Sequence, residues 1–261
     1  MQSDRDALLA GILADPDADL PRLVFADWLE ETGHPANCAR AEYIRLAIDR
    51  HIYLDVNLED YFARSDALKR MFDDEWDTYL NDNHDVGHAS RMRGFVDSAN
   101  LTGRRLGDVF GELSRCHPVQ DMVVNDLPVP GILTNLSPLI GLRSLTFPDV
   151  KATVTSICSF LTVSRFPRLR SLSILNCGLS DWGVVQLVHV LKENATLQRL
   201  ECLDLYGNPL TDHAAHTLAA TDWPPCFRRF VIDGTRITNA GREVLFRRFG
   251  FEELRPRLAL S

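Results

Sequence analysis

The chain lacks most of the features that announce chemistry. Cys38, Cys116, Cys158, Cys177, Cys202 and Cys226 include no C-x-x-C pair, and spacing this wide excludes a zinc ribbon. They read as reduced thiols of a cytoplasmic protein, with Cys158, Cys177 and Cys202 where a small buried hydrophobe belongs. No apolar run approaches the roughly 18 residues of a membrane span. Met1 leads straight into Gln2-Ser3-Asp4-Arg5-Asp6, which is no signal peptide. A nucleophile elbow, a phosphate-binding loop, a dinucleotide fingerprint and a zincin helix are all missing. Gly207-Asn208-Pro209 and Asp233-Gly234-Thr235 are glycine turns, not phosphate cradles. Basic runs stop at the pairs Arg104-Arg105, Arg228-Arg229 and Arg247-Arg248, with no aromatic platform between them for stacking bases. These absences set the expectation of a non-enzymatic protein with no cofactor, no bound metal, and neither nucleic acid nor membrane as partner.

What is present is ordinary in amount and uneven in placement. Hydrophobic residues make up 45% and charged residues 25% of 261 positions, enough apolar surface for one large domain or two ordinary ones. Residues 1–90 hold 8 Lys/Arg against 20 Asp/Glu, a net charge of −12; residues 91–261 hold 20 against 16, a net of +4. That asymmetry divides the chain near residue 90 into domains 1–90 and 91–261.

Residues 1–90 carry helical periodicity. Ser3 or Asp4 can cap a first helix with Leu8, Leu9, Ile12 and Leu13 on one stripe. The turn Asp15-Pro16-Asp17-Ala18-Asp19 ends it. A second helix starts near Pro21 and stops at Thr32-Gly33, and a third runs from about Ala39 to Ile48. Leu58, Tyr61, Phe62, Leu68, Met71, Phe72, Trp76 and Tyr79 suggest one or two more. Asp27 reads as a buried carboxylate paired with Arg22 or Arg45, and Trp28 as a core anchor.

Residues 91–261 carry a different period. Leu200-Glu201-Cys202-Leu203-Asp204-Leu205-Tyr206-Gly207-Asn208-Pro209-Leu210 reads L-x-x-L-x-L-x-x-N-x-L, the signature of a leucine-rich repeat unit. The same template fits Val96/Ala99/Leu101, Val119/Met122/Val124, Leu142/Leu145/Phe147, Leu169/Leu172/Ile174 and Phe227/Phe230/Ile232, at spacings of 23, 23, 27, 31 and 27 residues. Each later unit has a helix to follow: Ser180-Asp181 before Val184, Val185, Leu187, Val188 and Leu191; Thr211-Asp212 before Ala215, Leu218 and Ala219; Asn239 before Val244, Leu245 and Phe249. Asn208 fills the asparagine position, Cys177 and Thr235 can substitute, and Leu127 and Val150 cannot. The early turns should be irregular, since Pro128 and Pro130 bar a regular helix. The fold class expected is α/β: a leucine-rich-repeat solenoid with short parallel strands on the concave face and helices on the convex face, after a small all-α N-terminal domain. Exposed solenoid ends need caps. Residues 1–90 are expected at one end, and Phe246, Phe249, Phe251 and Leu254 at the other.

Three strings in the first region, Leu8-Leu9-Ala10-Gly11-Ile12-Leu13-Ala14-Asp15-Pro16, Pro21-Arg22-Leu23-Val24-Phe25-Ala26-Asp27-Trp28-Leu29-Glu30-Glu31 and Arg40-Ala41-Glu42-Tyr43-Ile44-Arg45-Leu46, resemble the bacterial repeat-companion domain over roughly residues 4–50. The resemblance implies a short helical module ahead of leucine-rich repeats, and no established activity. His34–Ala39 departs from it as a longer connection. The 27- and 31-residue units resemble the ribonuclease-inhibitor subfamily.

Strand alternation places Asp121, Val123, Asn125, Ser144, Thr146, Pro148, Ser171, Ser173, Leu175, Cys202, Asp204, Tyr206, Arg229, Val231 and Asp233 on the concave face. Of these, Asp121, Asn125, Leu175, Asp204, Tyr206, Arg229 and Asp233 are the candidate contacts for a protein partner. Tyr206 and Arg229 lead because aromatic and arginine side chains anchor interfaces, although Arg229 and Asp204 could simply pair across strands. His84/His88 and His213/His216 have two-ligand spacings without the third and fourth ligands zinc needs. Two rival readings follow: a metal-dependent hydrolase built on N-terminal carboxylates with His84/His88, and a regulator autoinhibited by residues 1–90 docked on the repeats.

Overall fold

The structure is a computed structural model that describes residues 2–49, 58–76, 86–102, 106–127, 140–149, 154–194 and 197–254. Tyr79, His84, Arg104, Arg105, Val150 and residues 128–131 lie outside the described residues; of Trp76 and His88 only the backbone is described.

The N-terminal stripes fold as helices against one another. Helix α1 (Gln2–Ala14) buries Leu9 and Ile12, and α2 (Leu20–Glu31) buries Phe25, Ala26 and Leu29. Pro21 sits in the first turn of α2, where its missing N–H leaves no helical bond unmade. Helix α3 (Pro35–Ile48) begins four residues before the expected Ala39, because Pro35 itself takes a first-turn position. The His34–Ala39 connection is therefore mostly helix. Helix α4 (Leu58–Trp76) packs Leu68 beside Tyr43, Ala36 and Ala39 of α3.

The buried charge of this region is not the one expected. Asp27 is exposed, and it shares Arg45 with Glu30 at 2.7 and 2.8 Å. Arg22 is buried instead. Its guanidinium donates to Ala18 O and Pro16 O, both at 2.6 Å, closing the turn after α1, and burial brings its pKa down to about 10.

Strands β1 (Val86–Met92) and β2 (Phe95–Leu101) form an antiparallel hairpin. The hairpin was not legible as such, and residue 90 falls inside β1. Its turn places Phe95 in the helical region's core, beside Leu9, Ile12, Phe25, Leu29 and Ile44. Arg22 and Arg40 lie over the Phe95 ring at 5.8 and 5.4 Å. Gly94 has φ +81, and a Cβ there would sit 2.2 Å from Ile44 Cγ1. Both the backbone conformation and the close approach require glycine.

From β2 onward the strands run parallel: β3 (Asp121–Val124), β4 (Ser144–Pro148), β5 (Ser171–Leu175), β6 (Cys202–Asp204) and β7 (Arg229–Val231). Spatial order equals chain order in one seven-stranded, mostly parallel sheet. Between the strands run α5 (Leu106–Cys116), α6 (Val154–Val163), α7 (Asp181–Glu193) and α8 (Asp212–Ala220), and α9 (Asn239–Phe249) follows β7. The fold is thus α/β behind an N-terminal helical region. All six apolar triplets point inward; Ala99, Met122, Leu145, Leu172, Leu203 and Phe230 align across the sheet in one buried row.

The turns leaving the later strands are built alike. Asp149, Asn176, Gly207 and Gly234 all adopt positive φ, and the first three donate their N–H to Leu175 O, Tyr206 O and Asp233 O, one unit onward, at 2.8–3.0 Å. Asn208, fully buried, accepts from Cys177 N and Leu179 N at 3.0 Å and donates to Ile174 O at 2.6 Å and Leu205 O at 2.9 Å. The Cys177 thiol donates to Phe147 O and Leu175 O, and the Thr235 hydroxyl to Ile232 O within its own turn. Leu127, unable to bond, lies in the core. Ser180, Thr211 and Thr238 cap α7, α8 and α9 through their hydroxyls. Asp181 and Asp212 each accept from the backbone N–H and hydroxyl of the next cap, Thr211 or Thr238, at 2.8 and 2.6 Å. At the far end Phe249 and Phe251 stack at 5.4 Å, and Phe249 lies 5.2 Å from Phe230.

Replacing Asn208 by Ala orphans the buried Leu179 N–H, the half-buried Cys177 N–H and the buried Ile174 carbonyl. It is expected to cost about 3 kcal/mol or more, read as a lowered urea midpoint. A loss below about 1 kcal/mol, within the range of an ordinary surface substitution, would show that the amide does not hold successive units together.

Candidate interaction surface

With the apolar rows turned toward the helices, the sheet's other face carries two polar rows. One runs Ser98, Asp121, Ser144, Ser171, Cys202, Arg229; the other runs Asn100, Val123, Thr146, Ser173, Asp204, Val231. The seven candidate contacts therefore share one face but not one site. Asp121 and Arg229 stand in the same row four strand spacings apart, roughly 19 Å. Asn125 is tied to Asn100 by its side chain and to Leu101 O by its N–H. Leu175 lies mid-sheet, half-buried, in register with Pro148.

Tyr206 and Arg229 are exposed at 47% and 63%, enough to leave both side chains to a partner. The Tyr206 ring lies over Gly234, where an added Cβ would come within 3.4 Å of it. Asp204 receives the Tyr206 N–H at 2.9 Å, which fixes the backbone that carries the ring. Two parts of the expected patch are otherwise engaged. Asp233 accepts from Arg242, a buried arginine of α9, at 2.7 Å. Arg229 has its ion-pair neighbour in Glu253 at 3.9 Å, so the Arg229–Asp204 pair is replaced by a longer-range attraction. Neither Arg242 nor Glu253 was predictable as a partner, since both arrive from the helical segment after β7.

Burial pushes the Asp204 carboxyl up, against the opposing Tyr206 N–H and Arg229 charge. Burial likewise raises the Cys202 thiol, opposed by its bond to Ser171, and takes Cys158 up to about 11. Neither thiol is a thiolate at neutral pH, so neither is an activated nucleophile. His213 and His216 are exposed on α8. Among the described residues no group of three His, Cys, Asp or Glu could hold a metal ion, and no helix is long and apolar enough to cross a membrane.

A second set of contacts lies at the leading edge of the sheet, where the strands begin. Arg143 donates to Asp17, Arg93 to Asp19 Oδ1 at 2.9 Å and Asp17 O at 2.6 Å, and Arg168 to Ala14 O at 2.9 Å. The Arg143 guanidinium holds the Asp17 carboxyl below the usual range. The charge asymmetry of the chain foreshadowed an electrostatic approach; the Asp15–Asp19 turn read only as a helix stop.

Asp204 offers a test with a defined sign. Its folded pKa lies above the ordinary 3.8, so the stabilising increment is complete below that value and is lost as pH rises through the folded pKa. Asp204→Asn keeps the acceptor for Tyr206 N–H without the charge. At pH 7 it should match or exceed the parent by under about 1 kcal/mol, discounted for partial exposure, with the gap closing below pH about 4. Asp204→Ala should be less stable at both pH values. Urea midpoints of the three proteins check this, and a clearly less stable Asn variant at pH 7 would contradict it.

No protein-family model matches the chain. Among curated proteins it is similar to the arabinose import ATP-binding protein AraG of Pectobacterium atrosepticum, at 28% identity over 86 residues, or 33% of this chain and 16% of that protein. The chain thus spans about a sixth of that relative's length. The sequence has no G-x-x-x-x-G-K-[ST] loop, so the likeness brings no phosphate cradle with it.

Proposed function

We propose that this chain is a non-enzymatic protein-interaction scaffold: a leucine-rich-repeat solenoid of the ribonuclease-inhibitor type, capped by a repeat-companion module at residues 1–90. On this reading the sheet's polar face is the concave surface, and it binds a partner protein around Tyr206 and Arg229. The observation that carries the reading is Tyr206, a half-exposed aromatic whose backbone N–H is held by Asp204 and whose ring lies at Gly234, on a face whose two strand rows carry no other aromatic. Rigid aromatic area with an exposed arginine on the same face supplies contact at little entropic cost.

The rival readings have less behind them. Of the N-terminal carboxylates, Asp27 and Glu30 are held by Arg45 and Asp17 by Arg143, and among the described residues no group of three His, Cys, Asp or Glu could hold a metal ion. The docking of residues 15–19 falls on the leading edge rather than over Tyr206, a position that fits a cap better than an autoinhibitory lid.

The reading is tested by crosslinking and pull-down from the source cells with the parent chain and a Tyr206→Ala/Arg229→Ala double variant. A partner captured by the parent should be lost, by at least tenfold in recovery, from the variant. Equal capture by both would sink the Tyr206–Arg229 surface.

A further inference from the structure

The sheet's leading edge carries a feature that the Tyr206 surface does not use. Just before the strands, backbone bonds step from unit to unit: Arg143 N–H donates to Gln120 O, Arg170 N–H to Arg143 O, Glu201 N–H to Arg170 O and Arg228 N–H to Glu201 O, at 2.7–2.8 Å. Arg143, Arg170, Glu201 and Arg228 thus stand one strand spacing apart. Arg165, Arg168 and Arg199 lie in the loops leading into the same strands. Arg165, Arg170, Arg199 and Arg228 are exposed. Arg170 has Glu201 at 3.4 Å, and Arg165, Arg199 and Arg228 face no carboxylate among the described residues.

The chain's own acidic loop occupies one end of this strip. Asp15–Asp19 lies against it with the Asp17 carboxylate on Arg143; the carbonyl of Ala14, just before the loop, accepts from Arg168, and Arg93 holds Asp17 O and Asp19. The rest of the strip repeats the chemistry that holds that loop, with arginines at strand spacing and one interrupting glutamate. Guanidinium groups suit carboxylates because their planar fork can donate two bonds at once. We propose that the leading edge, through Arg170, Arg199 and Arg228, binds an acidic extended segment of a partner protein, continuing the path begun by Asp15–Asp19. From Arg170 to Arg228 is two strand spacings, roughly 10 Å, the reach of about three extended residues. Nucleic acid fits less well: the adjoining residues 1–90 carry a net charge of −12, and Phe166 and Phe227, the aromatics next to these arginines in the chain, are buried in the core and not available for stacking. This surface adjoins Arg229 but uses neither Tyr206 nor Arg229, and the fate of that patch does not decide it.

The probe is a fluorescein-labelled decapeptide of alternating Asp and Ala, titrated with the full chain and followed by anisotropy at 50 mM and 300 mM salt. The parent should bind saturably at 50 mM and at least tenfold more weakly at 300 mM. Arg199→Glu/Arg228→Glu should weaken binding at least tenfold at 50 mM. Arg247→Glu/Arg248→Glu, the same charge change on α9, should stay within twofold of the parent. Should the first variant fail to fold, Arg199→Gln/Arg228→Gln serves, with at least a fivefold loss expected. A benzophenone-bearing peptide should label fragments containing residues 165–170, 197–201 or 226–229. No binding by the parent at 50 mM, equal losses in both charge-reversal variants, or labelling confined to α9 would overturn the assignment. Tighter binding of a labelled oligodeoxythymidylate of equal charge, lost in the same Arg199/Arg228 variant, would overturn it in favour of nucleic acid.

Discussion

Every strand from β2 to β7 is incomplete without its neighbours. Backbone groups of β2 to β6 are satisfied by the strands on either side, those of the edge strand β7 by β6 alone, and the inward side chains are covered by the units that flank them. Such an arrangement propagates well and terminates badly. The N-terminal end is closed by a change of direction: β1 returns antiparallel, and Gly94 lets the chain turn tightly enough to sink Phe95 among the helices. The opposite end is closed by aromatic area, with Trp223, Phe227, Phe230, Phe249 and Phe251 within ring contact of one another. Between the ends, Asn208 and the left-handed turn residues fix how one unit follows the next. These turn bonds cross between units, so a defect at one turn is felt by its neighbour.

The same alternation sorts the charges. A helix that returns from the end of one strand to the start of the next has its N-terminus at the trailing edge and its C-terminus at the leading edge. Carboxylates accordingly collect at the trailing side, where Asp181 and Asp212 sit in the first turns of α7 and α8, and arginines collect at the leading side. Helix dipoles favour both placements. Since each dipole amounts to about half a charge at its end and each arginine to a full one, the leading edge remains positive. The strip of arginines is thus a consequence of how strand and helix alternate, made chemically specific by the residues placed on it.

Much of this was legible. Apolar residues three and two apart identified the strands of β2 to β7, and Ser180, Thr211 and Asn239 marked the helix starts to within a residue, because both signals are local. The face of Tyr206 and Arg229 followed from period-two alternation. What escaped depended on distant partners. Nothing near Asp233 in the sequence announces that Arg242 will fold back on it, and Asp27 looked buried because its helix neighbours are. The Arg93–Gly94 turn of the hairpin gave only a Gly after an Arg, and its meaning lies in Ile44, which the turn meets across the fold. The proline and clustered Asp of Asp15–Asp19 announce a turn, and only the imbalance between −12 and +4 hints at what their charges meet.

The two surfaces differ in the physics available to them. Around Tyr206 the usable quantities are ring area and a positioned backbone, which depend little on ionic strength. Along the leading edge the usable quantity is charge on exposed side chains, screened within about 10 Å at 0.1 M salt. The N-terminal region joins the sheet by both means: Phe95 provides an apolar plug that salt does not weaken, and Asp17 and Asp19 provide exposed ion pairs that it does. Exposed pairs of this kind add little to stability, of order 1 kcal/mol or less. Phe95 therefore holds the helical region to the sheet, and the acidic loop is free to act mainly as a guide to orientation. A loop held so weakly leaves the arginines beneath it accessible to competition, whereas the hairpin turn at Gly94 is not.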